Sequence, residues 1–400
     1  MNAGFPLPSP GHASALAGLR VLDLGQIWAG PLCSNMLGDM GAEVIRVETR
    51  SRAAMGGRLE FAAQEPVEHA YSYYLRNRIC MSADVTEAKG RDLVKGLVRI
   101  SDVLVENFGP RTMTKLGLDF ATLRAVNPSL ILLSLPAAGS TGPWSNRLTQ
   151  GPTLSGLYGR SSLIGYPGEA WPRSDTAEGD PLGASFGFIA VMAALMDRRH
   201  TGLGQHIDLS QGEALLCLDA EAVIEYTMNR RVIGFTGNML RGRAPHGIFP
   251  CAGEDQWIGI SVETSDQYAA LLDILEGPGS GESRFSSPFY RFQEKERLEA
   301  LIAEGTRRFD PWTLTRRLQS VGVPAYPVLN ARGQLDDSHL QFRRGMGITA
   351  QPGVRTEEVT FTSPWKLTET PVALRRATPS IGADTAAVLT HILGTEMAEP

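Results

Sequence analysis

Asp180 is the residue whose type and position point most directly to chemistry. It stands directly before Pro181, after a stretch rich in Gly, Pro, Ser and Thr at residues 137–180. Asp before Pro is typical of a helix N-cap, which is an ordinary structural role. A carboxylate at a helix N-terminus is also stabilised in its charged form, and an ionised carboxylate is a nucleophile that needs no cofactor. The sequence leaves both interpretations open. Asp175, nearby in a looser context, is interpreted as a solvated loop residue.

The motifs of several other chemistries are missing. The first strand–helix turn reads LDLGQIWAGP and lacks the G-x-G-x-x-G spacing of dinucleotide-binding folds, so we predict no NAD. No G-x-x-x-x-G-K-[ST] loop and no G-x-S-x-G elbow occur. The seven histidines form no metal-binding pattern, and we predict no metal. These observations turn attention to carboxylate chemistry.

Basic and aromatic side chains in the first third of the chain are candidates for holding a phosphate-bearing ligand. Each basic residue alone is typical of a solvated surface charge. Together, near strand ends of an α/β unit, they could receive the phosphates of a nucleotide-bearing ligand. Trp28 and Phe108 could pack on such a ligand, although core packing is the commoner role of an aromatic ring. The basic residues are Arg46, Arg50, Arg76, Arg78, Arg111 and Lys115.

The elements that must position these residues follow a strand–helix alternation. GLRVLDLG and AEVIRVE read as buried strands, with helical spacing at 31–40 between them. Such a βαβ unit is parallel and right-handed. Because the pattern recurs, we predict an α/β fold with a doubly wound, Rossmann-like unit. Residues 182–196 are apolar almost all round and predict a helix buried on every side. The recurring helices are predicted at 86–100 and 118–126, and the strands at 101–106 and 129–135.

Composition is that of a globular protein. The 400 residues are 42% hydrophobic and 20% charged, and a formal charge of −5 offers no basic field, so we expect no nucleic-acid partner. Four scattered cysteines fit a reducing compartment. The N-terminus lacks the pattern of a signal peptide, and the apolar run at 186–196 is shorter than a membrane span. We expect a cytoplasmic protein with no membrane partner.

Breaks in composition predict a discontinuous domain organisation. Residues 1–17 are rich in Pro, Gly, Ser and Ala and are expected to form a flexible arm. A large α/β domain is expected at 18–225, a small domain at 226–328, and a return to the large domain at 329–400. The boundary near 230 follows paired arginines and the segment RGRAPHGIFP.

From residue 17 to 390 the chain resembles the class III CoA-transferases, the family of formyl-CoA:oxalate and L-carnitine CoA-transferases. Many motifs stand in the family's order, and their combination is specific although each alone is not. They are GLRVLDLGQIWAGPLCSNMLGDMGAEVIRVE, the pair Asn77–Arg78, DVLVENFGPRTMTKLGLDF, GDPLGASFGFIAVMAALMDRRHTGLGQHIDLSQGEAL, GVPAYPV and SPWKLTETP.

The resemblance implies a large discontinuous Rossmann-like domain, a smaller inserted α+β domain and an interlocked homodimer. The substrates would be carboxylic acids and their CoA thioesters, with Asp180 as the catalytic residue. Gln26 and Trp28 would line the substrate pocket, shaped with Trp144 and Tyr158 for an aromatic or branched acid. Gly247 would supply backbone N–H groups to an oxyanion. The positions that match family contacts to CoA are Ala29, Glu48, Arg50, Arg78, Asn107, Phe108 and Lys115.

The resemblance also implies a mechanism and leaves alternatives open. Ionised Asp180 would attack the acyl-CoA thioester, and the reaction would pass through an aspartyl anhydride and an aspartyl-CoA thioester. An acyl-CoA racemase or isomerase is disfavoured because the family's His–Asp pair is missing from NRLTQGPTLSG. A non-catalytic CoA-binding subunit of a heteromeric transferase is the other alternative. Since PHGIF stands where the formyl-CoA enzyme has a poly-glycine loop, formyl-CoA:oxalate exchange is not expected.

Overall fold

A computed structural model describes residues 14–49, 75–170, 177–275, 283–350 and 357–394 of the chain. The described residues divide into two compact units. The first is built from residues within 1–160, 175–230 and 339–400, and the second from residues within 161–174 and 231–338. The domain boundaries given above stay a prediction.

The first unit contains a six-stranded parallel sheet with the strand order β3-β2-β1-β4-β5-β6. The order reverses between β1 and β4, which defines the switch point of a doubly wound fold. This arrangement confirms the predicted parallel α/β class. The strands are β1 (Arg20–Asp23), β2 (Glu43–Glu48), β3 (Arg78–Ser82), β4 (Val103–Glu106), β5 (Ile131–Ser134) and β6 (His206–Asp208).

Alternate side chains of these strands feed two separate cores, one on each face of the sheet. Val103 and Val105 of β4 belong to one core, and Leu104 between them belongs to the other. Because successive side chains point to opposite faces and both faces are covered, every position of such a strand is apolar, which gives a continuous apolar run in the sequence. The first core includes α1 (Ala29–Asp39) and α6 (Gly179–Thr201), and the second includes α2 (Ala88–Val98).

Shorter helices connect these elements. The stretch at 137–180, in which no helix was predicted, contains α5 (Gly151–Leu157) and a 3-10 turn at Arg160–Ser162. Only Leu154 and Ser155 of α5 are buried. Because the helix contains many small residues, it shows no apolar period from which it could have been predicted. The other helices are α3 (Thr112–Lys115), α4 (Phe120–Val126), α7 (Gln211–Leu218) and α8 (Ala220–Asn229).

The long helix α6 differs from the prediction in two respects. Its N-cap is Glu178, so Asp180 lies inside the first turn rather than at the cap. The expectation of burial on every side is wrong, because Phe186, Ile189 and Met196 are 40%, 63% and 65% exposed. By length and composition alone α6 could cross a membrane, a test that core helices of soluble proteins also pass. In this chain α6 packs in the core beside α1.

The end of the first unit is tied back to the sheet. Strands β10 (Met346–Ala350) and β11 (Glu357–Phe361) form an antiparallel pair. A carboxylate oxygen of Asp384 accepts a hydrogen bond of 2.8 Å from the backbone N–H of Cys80 on β3. A helical turn at Thr385–Ala387 follows and continues as a π-turn through Val388–Ile392.

The second unit is a small α+β structure, as predicted for the fold class. Its antiparallel sheet has the order β7-β8-β9, formed by His246–Pro250, Trp257–Ser261 and Ala325–Pro327. The unit has its own core, in which Ile258 and Leu271 are fully buried. The helices are α9 (Ser265–Leu275), α10 (Pro288–Gln293), α11 (Lys295–Thr306), α12 (Pro311–Ser320), α13 (Ala331–Asp336) and α14 (Ser338–Arg343), with a 3-10 turn at Ser283–Ser286.

Candidate active site

The loops that follow β1 and β4 meet at the switch point of the parallel sheet. The Asn107 side chain accepts a hydrogen bond of 2.6 Å from the backbone N–H of Gln26 and donates one of 2.9 Å to the Gln26 carbonyl. The contact is so close that a Cβ on Gly30 would lie 2.9 Å from the Gly25 Cα and 3.0 Å from the Asn107 Oδ1. Glycine at position 30 therefore permits the loops to meet, and ligands of open α/β sheets bind at this place.

A cavity of about 720 Å³ opens at this junction. Its volume lies in the range typical of small-molecule and cofactor sites. The lining is largely apolar or neutral, and it is contributed by loops after β1, β4 and β5 and by the first turns of α5 and α6. The lining residues are Gln26, Ile27, Trp28, Asn107, Phe108, Gly109, Pro110, Thr112, Leu135, Pro136, Ala137, Ala138, Gly139, Ser145, Arg147, Leu148, Thr149, Gln150, Gly151, Pro152, Leu154, Ala177, Asp180 and Gln211.

Asp180 projects into this cavity from the first turn of α6. Burial raises the pKa of its carboxyl to about 6, while a hydrogen bond from the backbone N–H of Ala29, at the start of α1, opposes the shift. The carboxylate is therefore ionised at neutral pH although it is poorly solvated. Perturbed carboxyl groups in clefts are candidates for catalysis.

The neighbouring helix α5 packs closely against the segment before Asp180. A Cβ on Gly151 would lie 2.1 Å from the Cβ of Ala177 and 3.6 Å from the Oδ2 of Asp180. A spacing below 3 Å cannot be accommodated without movement, so glycine at position 151 sets how closely α5 approaches the carboxylate.

The described lining of the cavity carries one acidic and one basic side chain. The acid is Asp180, and the base is Arg147, which is exposed. The backbone N–H of Arg147 donates to the Trp144 carbonyl at 2.8 Å. Its guanidinium makes no hydrogen bond or ion pair within the part of the chain that the structure describes. The described lining thus offers one anionic and one cationic side chain.

A smaller cavity of about 280 Å³ lies beside the first and shares Phe108 with it. The Glu106 Oε2 accepts a hydrogen bond of 2.8 Å from the backbone N–H of Phe108, and burial raises the pKa of the Glu106 carboxyl. The Ser134 hydroxyl lies 3.0 Å from Nε2 of His206, whose pKa is lowered by burial. These contacts connect the ends of β4, β5 and β6 and hold the turn that presents Phe108.

Five of the residues predicted for the site line the large cavity together. These are Asp180, Gln26, Trp28, Asn107 and Phe108. Ala29 does not line it but contacts Asp180 through its backbone N–H. The roles predicted for these residues stay predictions, because geometry places them together without showing a bound ligand.

Arg78 and Glu48, two residues predicted to contact CoA, do not line the cavity and belong to a buried ionic network. The Arg78 guanidinium, 2% exposed as a residue, lies 2.5 Å from the Asp23 carboxylate and donates to the Pro31 carbonyl at 3.0 Å. Glu48 is 3% exposed and forms an ion pair of 3.1 Å with Arg46. These contacts hold the start of α1 against the sheet.

The remaining predicted residues are located elsewhere or are not described. Lys115 is exposed on α3 and lines neither cavity of the first unit. Gly247 belongs to β7 of the second unit, where it lines an open depression of about 540 Å³. Arg50 and Asp175 lie outside the described residues. Trp144 and Tyr158 form an edge-to-face pair with ring centroids 5.9 Å apart and are not part of the cavity lining.

The sequence interpretation missed Arg147, Gln150, Gly151 and Gln211 in the cavity lining. The first three lie in the stretch at 137–180 that is rich in Gly, Pro, Ser and Thr, and a long loop segment of this kind often carries function, which is the signal that could have pointed toward them. No residue in that stretch could be singled out, because the closeness of Gly151 to Asp180 depends on how α5 packs. Among the described residues, no group of His, Cys, Asp and Glu could hold a metal ion.

Comparison with known proteins assigns the chain to one family. The sequence profile of CoA-transferase family III matches residues 16–385. The chain is 30% identical over 402 residues to succinate–glutarate CoA-transferase of Agrobacterium fabrum, covering 96% of this chain and 97% of that protein. It is 29% identical over 384 residues to succinyl-CoA–D-citramalate CoA-transferase of Chloroflexus aurantiacus, covering 94% and 93%.

A solved structure shares the fold over nearly the whole chain. The crystal structure of a CaiB/BaiF family protein from Brucella suis superposes with a TM-score of 0.84 at 27% identity, covering 95% of this chain and 99% of that one. The chain belongs to CoA-transferase family III. It is an enzyme that transfers CoA between an acyl-CoA and a carboxylic acid, as the names of its relatives support.

Proposed function

We propose that the enzyme transfers CoA through covalent intermediates on Asp180. The observation that carries the proposal is the position of this carboxylate, the one acidic group of the described lining, in a large cavity at the switch point. Burial raises its pKa to about 6, so that it is ionised at neutral pH and weakly solvated. Weak solvation favours nucleophilic attack by a carboxylate.

The donor half-reaction begins when an Asp180 oxygen attacks the carbonyl carbon of the acyl-CoA thioester. The carbon–sulfur bond breaks, CoA leaves as a thiolate, and a mixed anhydride of the acyl group and Asp180 remains. The thiolate then attacks the aspartyl carbonyl carbon and expels the donor carboxylate. Asp180 is left as a thioester of CoA.

The acceptor half-reaction reverses these steps with a second acid. The acceptor carboxylate attacks the aspartyl carbonyl and displaces the CoA thiolate, which forms a new mixed anhydride. The thiolate attacks the acceptor carbonyl and releases Asp180 as a carboxylate. No proton, electron pair or water is consumed, so the thioester energy passes to the product.

Neighbouring residues have complementary roles in this proposal. The Ala29 N–H, which already contacts the carboxyl of Asp180, stabilises negative charge that develops at the aspartyl carbonyl oxygen. Gln26, Trp28, Asn107 and Phe108 bind CoA and the acyl group. For Glu48, Arg50, Arg78, Lys115 and Gly247, contacts to ligand rest on the family resemblance alone.

Racemase or isomerase chemistry receives no support from the cavity. It requires a base that removes a proton from the carbon next to the thioester carbonyl. No histidine and no lysine occur in the described cavity lining. Racemisation needs one group that removes the proton and a second group that returns it on the opposite face. In the described lining Asp180 is the one acidic side chain, which fits a nucleophile better than such a pair.

We propose that the active form is a cytoplasmic homodimer. Several large apolar side chains of α7 and α8 are exposed in the single chain, and burial in a second copy would remove them from water. The four cysteines are scattered along the sequence and form no C-x-x-C pair, which fits a reducing compartment. The exposed apolar residues are Leu216, Leu218, Val223, Ile224, Tyr226 and Met228.

The proposal is tested by measuring CoA esters by mass spectrometry after incubating the enzyme with acyl-CoA donors and free acids. Succinyl-CoA is the first donor to test, since the names of three relatives contain it or succinate. We expect exchange by the wild-type enzyme and by Asp197→Asn, a control on the exposed part of α6, and none by Asp180→Asn. Exchange by Asp180→Asn at the wild-type rate would contradict the proposal.

A further inference from the structure

The one cation of the described cavity lining has no role in the mechanism above. The proposed covalent steps use Asp180, a backbone N–H and neutral lining groups, and none of them requires a guanidinium. Arg147 nevertheless faces the same cavity with no partner for its side chain among the described residues. Arg147 is exposed, and a cation at the wall of a substrate cavity can form charge-assisted hydrogen bonds with a second negative charge on the ligand.

We propose that Arg147 binds the second carboxylate of a dicarboxylic substrate, so that the enzyme prefers dicarboxylic acids and their mono-CoA thioesters. The inference rests on the proposed function, because it takes the first carboxyl of the substrate to react at Asp180. Arg147 would then be a specificity-determining residue and not a participant in bond making.

The chain geometry keeps Arg147 close to the reacting group. Gly151 lies against Asp180, with its Cβ position 3.6 Å from the Oδ2. Arg147 precedes Gly151 by four residues, and four residues of chain span at most about 14 Å. Arg147 and Gly151 both line the same cavity, and the chain between them limits their separation.

The segment that carries Arg147 is anchored at both ends. The backbone N–H of Arg147 donates to the Trp144 carbonyl at 2.8 Å. On the other side, the hydroxyl of Thr153 accepts from the Gln150 N–H at 2.9 Å and donates to the Gln150 carbonyl at 2.8 Å. The backbone that carries Arg147 is thus held by hydrogen bonds on both sides of the residue.

The chemistry of the lining favours a carboxylate as the partner of Arg147. A guanidinium forms paired, charge-assisted hydrogen bonds with a planar carboxylate. All other described lining groups except Asp180 are uncharged, so a monocarboxylic acyl chain would leave Arg147 without an anion. A phosphate of CoA offers a similar anion, and the experiment must separate these two sources.

The test compares succinate with butyrate, which has the same chain length and a methyl group in place of the second carboxylate. Acceptor kcat/KM is measured with isotope-labelled acids, so that transfer from succinyl-CoA to succinate is detected, for wild type, Arg147→Gln and Arg147→Lys, and CoA affinity is measured by calorimetry. Arg199→Gln, a change of an exposed arginine at the far end of α6, is the control.

We expect the succinate-to-butyrate ratio of kcat/KM to fall roughly 10- to 100-fold in Arg147→Gln, as for loss of a charge-assisted hydrogen bond. Arg147→Lys should restore part of the ratio, and Arg199→Gln should leave it as in wild type. An equal loss for both acids together with weaker CoA binding would assign Arg147 to a phosphate and overturn the inference. An unchanged ratio would also overturn it.

Failure of the proposed function gives a different result. If Asp180 forms no covalent adduct and neither acid receives CoA in the wild-type enzyme, the covalent mechanism and this inference fall together. If wild type forms the adduct and transfers CoA while the ratio does not respond to Arg147→Gln, only the specificity role fails.

Discussion

At the scale of the residue, Asp180 combines two opposing influences. Burial raises its pKa to about 6, and the hydrogen bond from the Ala29 N–H acts in the opposite direction. The result is a carboxylate that is ionised at neutral pH yet more basic than an exposed one. A more basic carboxylate is a better nucleophile, so the same environment that costs stability favours attack on a thioester.

The first prediction concerns the pH dependence of the donor half-reaction. Protonated Asp180 is not a nucleophile, so release of the donor carboxylate from an acyl-CoA should fall about tenfold for each pH unit below a pH of about 6. Single-turnover release of the donor acid, measured without an acceptor acid, reports this step, since no titrating acceptor is present. A rate that stays constant down to pH 5 would show that another group attacks.

The second prediction concerns stability. The pKa of Asp180 is raised in the folded state, so the folded chain binds this proton more tightly than the unfolded chain. Its contribution to stability is present below the unfolded pKa of about 4 and is lost as the pH rises to about 6. Ionised Asp180 therefore costs up to about 3 kcal/mol at pH 8, at 1.36 kcal/mol per pKa unit.

Asp180→Asn removes this cost and should be more stable than wild type at pH 8, with a difference that shrinks toward pH 4. Chemical denaturation at both pH values measures it, and Asp197→Asn on the exposed part of the same helix should show no such gain. A loss of stability at pH 8 would mean that the amide cannot replace the carboxylate at the Ala29 N–H.

At the scale of the element, the site depends on how closely α5 packs before the first turn of α6. Gly151→Ala would place a methyl group 2.1 Å from the Ala177 Cβ, which forces the two segments apart. We expect kcat/KM to fall at least tenfold, because small misplacements of reacting groups are costly. Gly156→Ala is the matched control, since a Cβ there meets nothing within 4 Å and it lies on the same helix.

Steady-state kinetics with one donor and acceptor compare the two variants, and circular dichroism checks that both are folded. Equal activities of Gly151→Ala and Gly156→Ala would show that the approach of α5 does not set the geometry of the site.

The positions of strands and helices were predicted from the sequence better than the burial of individual side chains. Buried strands and connecting helices follow from apolar runs and periods, and together with right-handed crossovers they led to the parallel doubly wound class that the structure shows. The exposed face of α6 could not be predicted, because an apolar helix reads as buried whether or not a neighbour covers it. Arg78 read as a surface charge, and its burial follows from Asp23, which lies far away in sequence.

For the candidate site, too, the residues in sequence motifs could be predicted, and those that depend on packing could not. Gln26, Asn107 and Asp180 were predicted because they stand in motifs at strand ends or a helix start, and all three line the large cavity. Arg147 was missed, since nothing in a stretch rich in small residues shows which side chain will face a cavity. The role proposed for Arg147 rests on the lack of a competing anion among the described residues around it, and the fold determines which residues those are.

At the scale of the whole molecule, exposed apolar side chains on α7 and α8 are the feature from which we propose contact with a second copy of the chain. Met228 is 76% exposed and Val223 is 53% exposed in the single chain. Met228→Glu should convert the proposed homodimer to monomers, because a buried unpaired charge at an interface is strongly unfavourable. Light scattering coupled to size-exclusion chromatography measures the mass, with Glu221→Gln on α8 as control. A monomeric wild type would contradict the homodimer.

The central claim is that Asp180 carries the CoA group covalently, and intact-protein mass spectrometry tests it most directly. The enzyme is mixed with an acyl-CoA donor, trapped with hydroxylamine, and digested to locate the modified residue. We predict a hydroxamate on Asp180 in wild type and in Asp197→Asn, and no adduct in Asp180→Asn. An adduct on another residue, or transfer of CoA with no adduct at any time, would contradict the account.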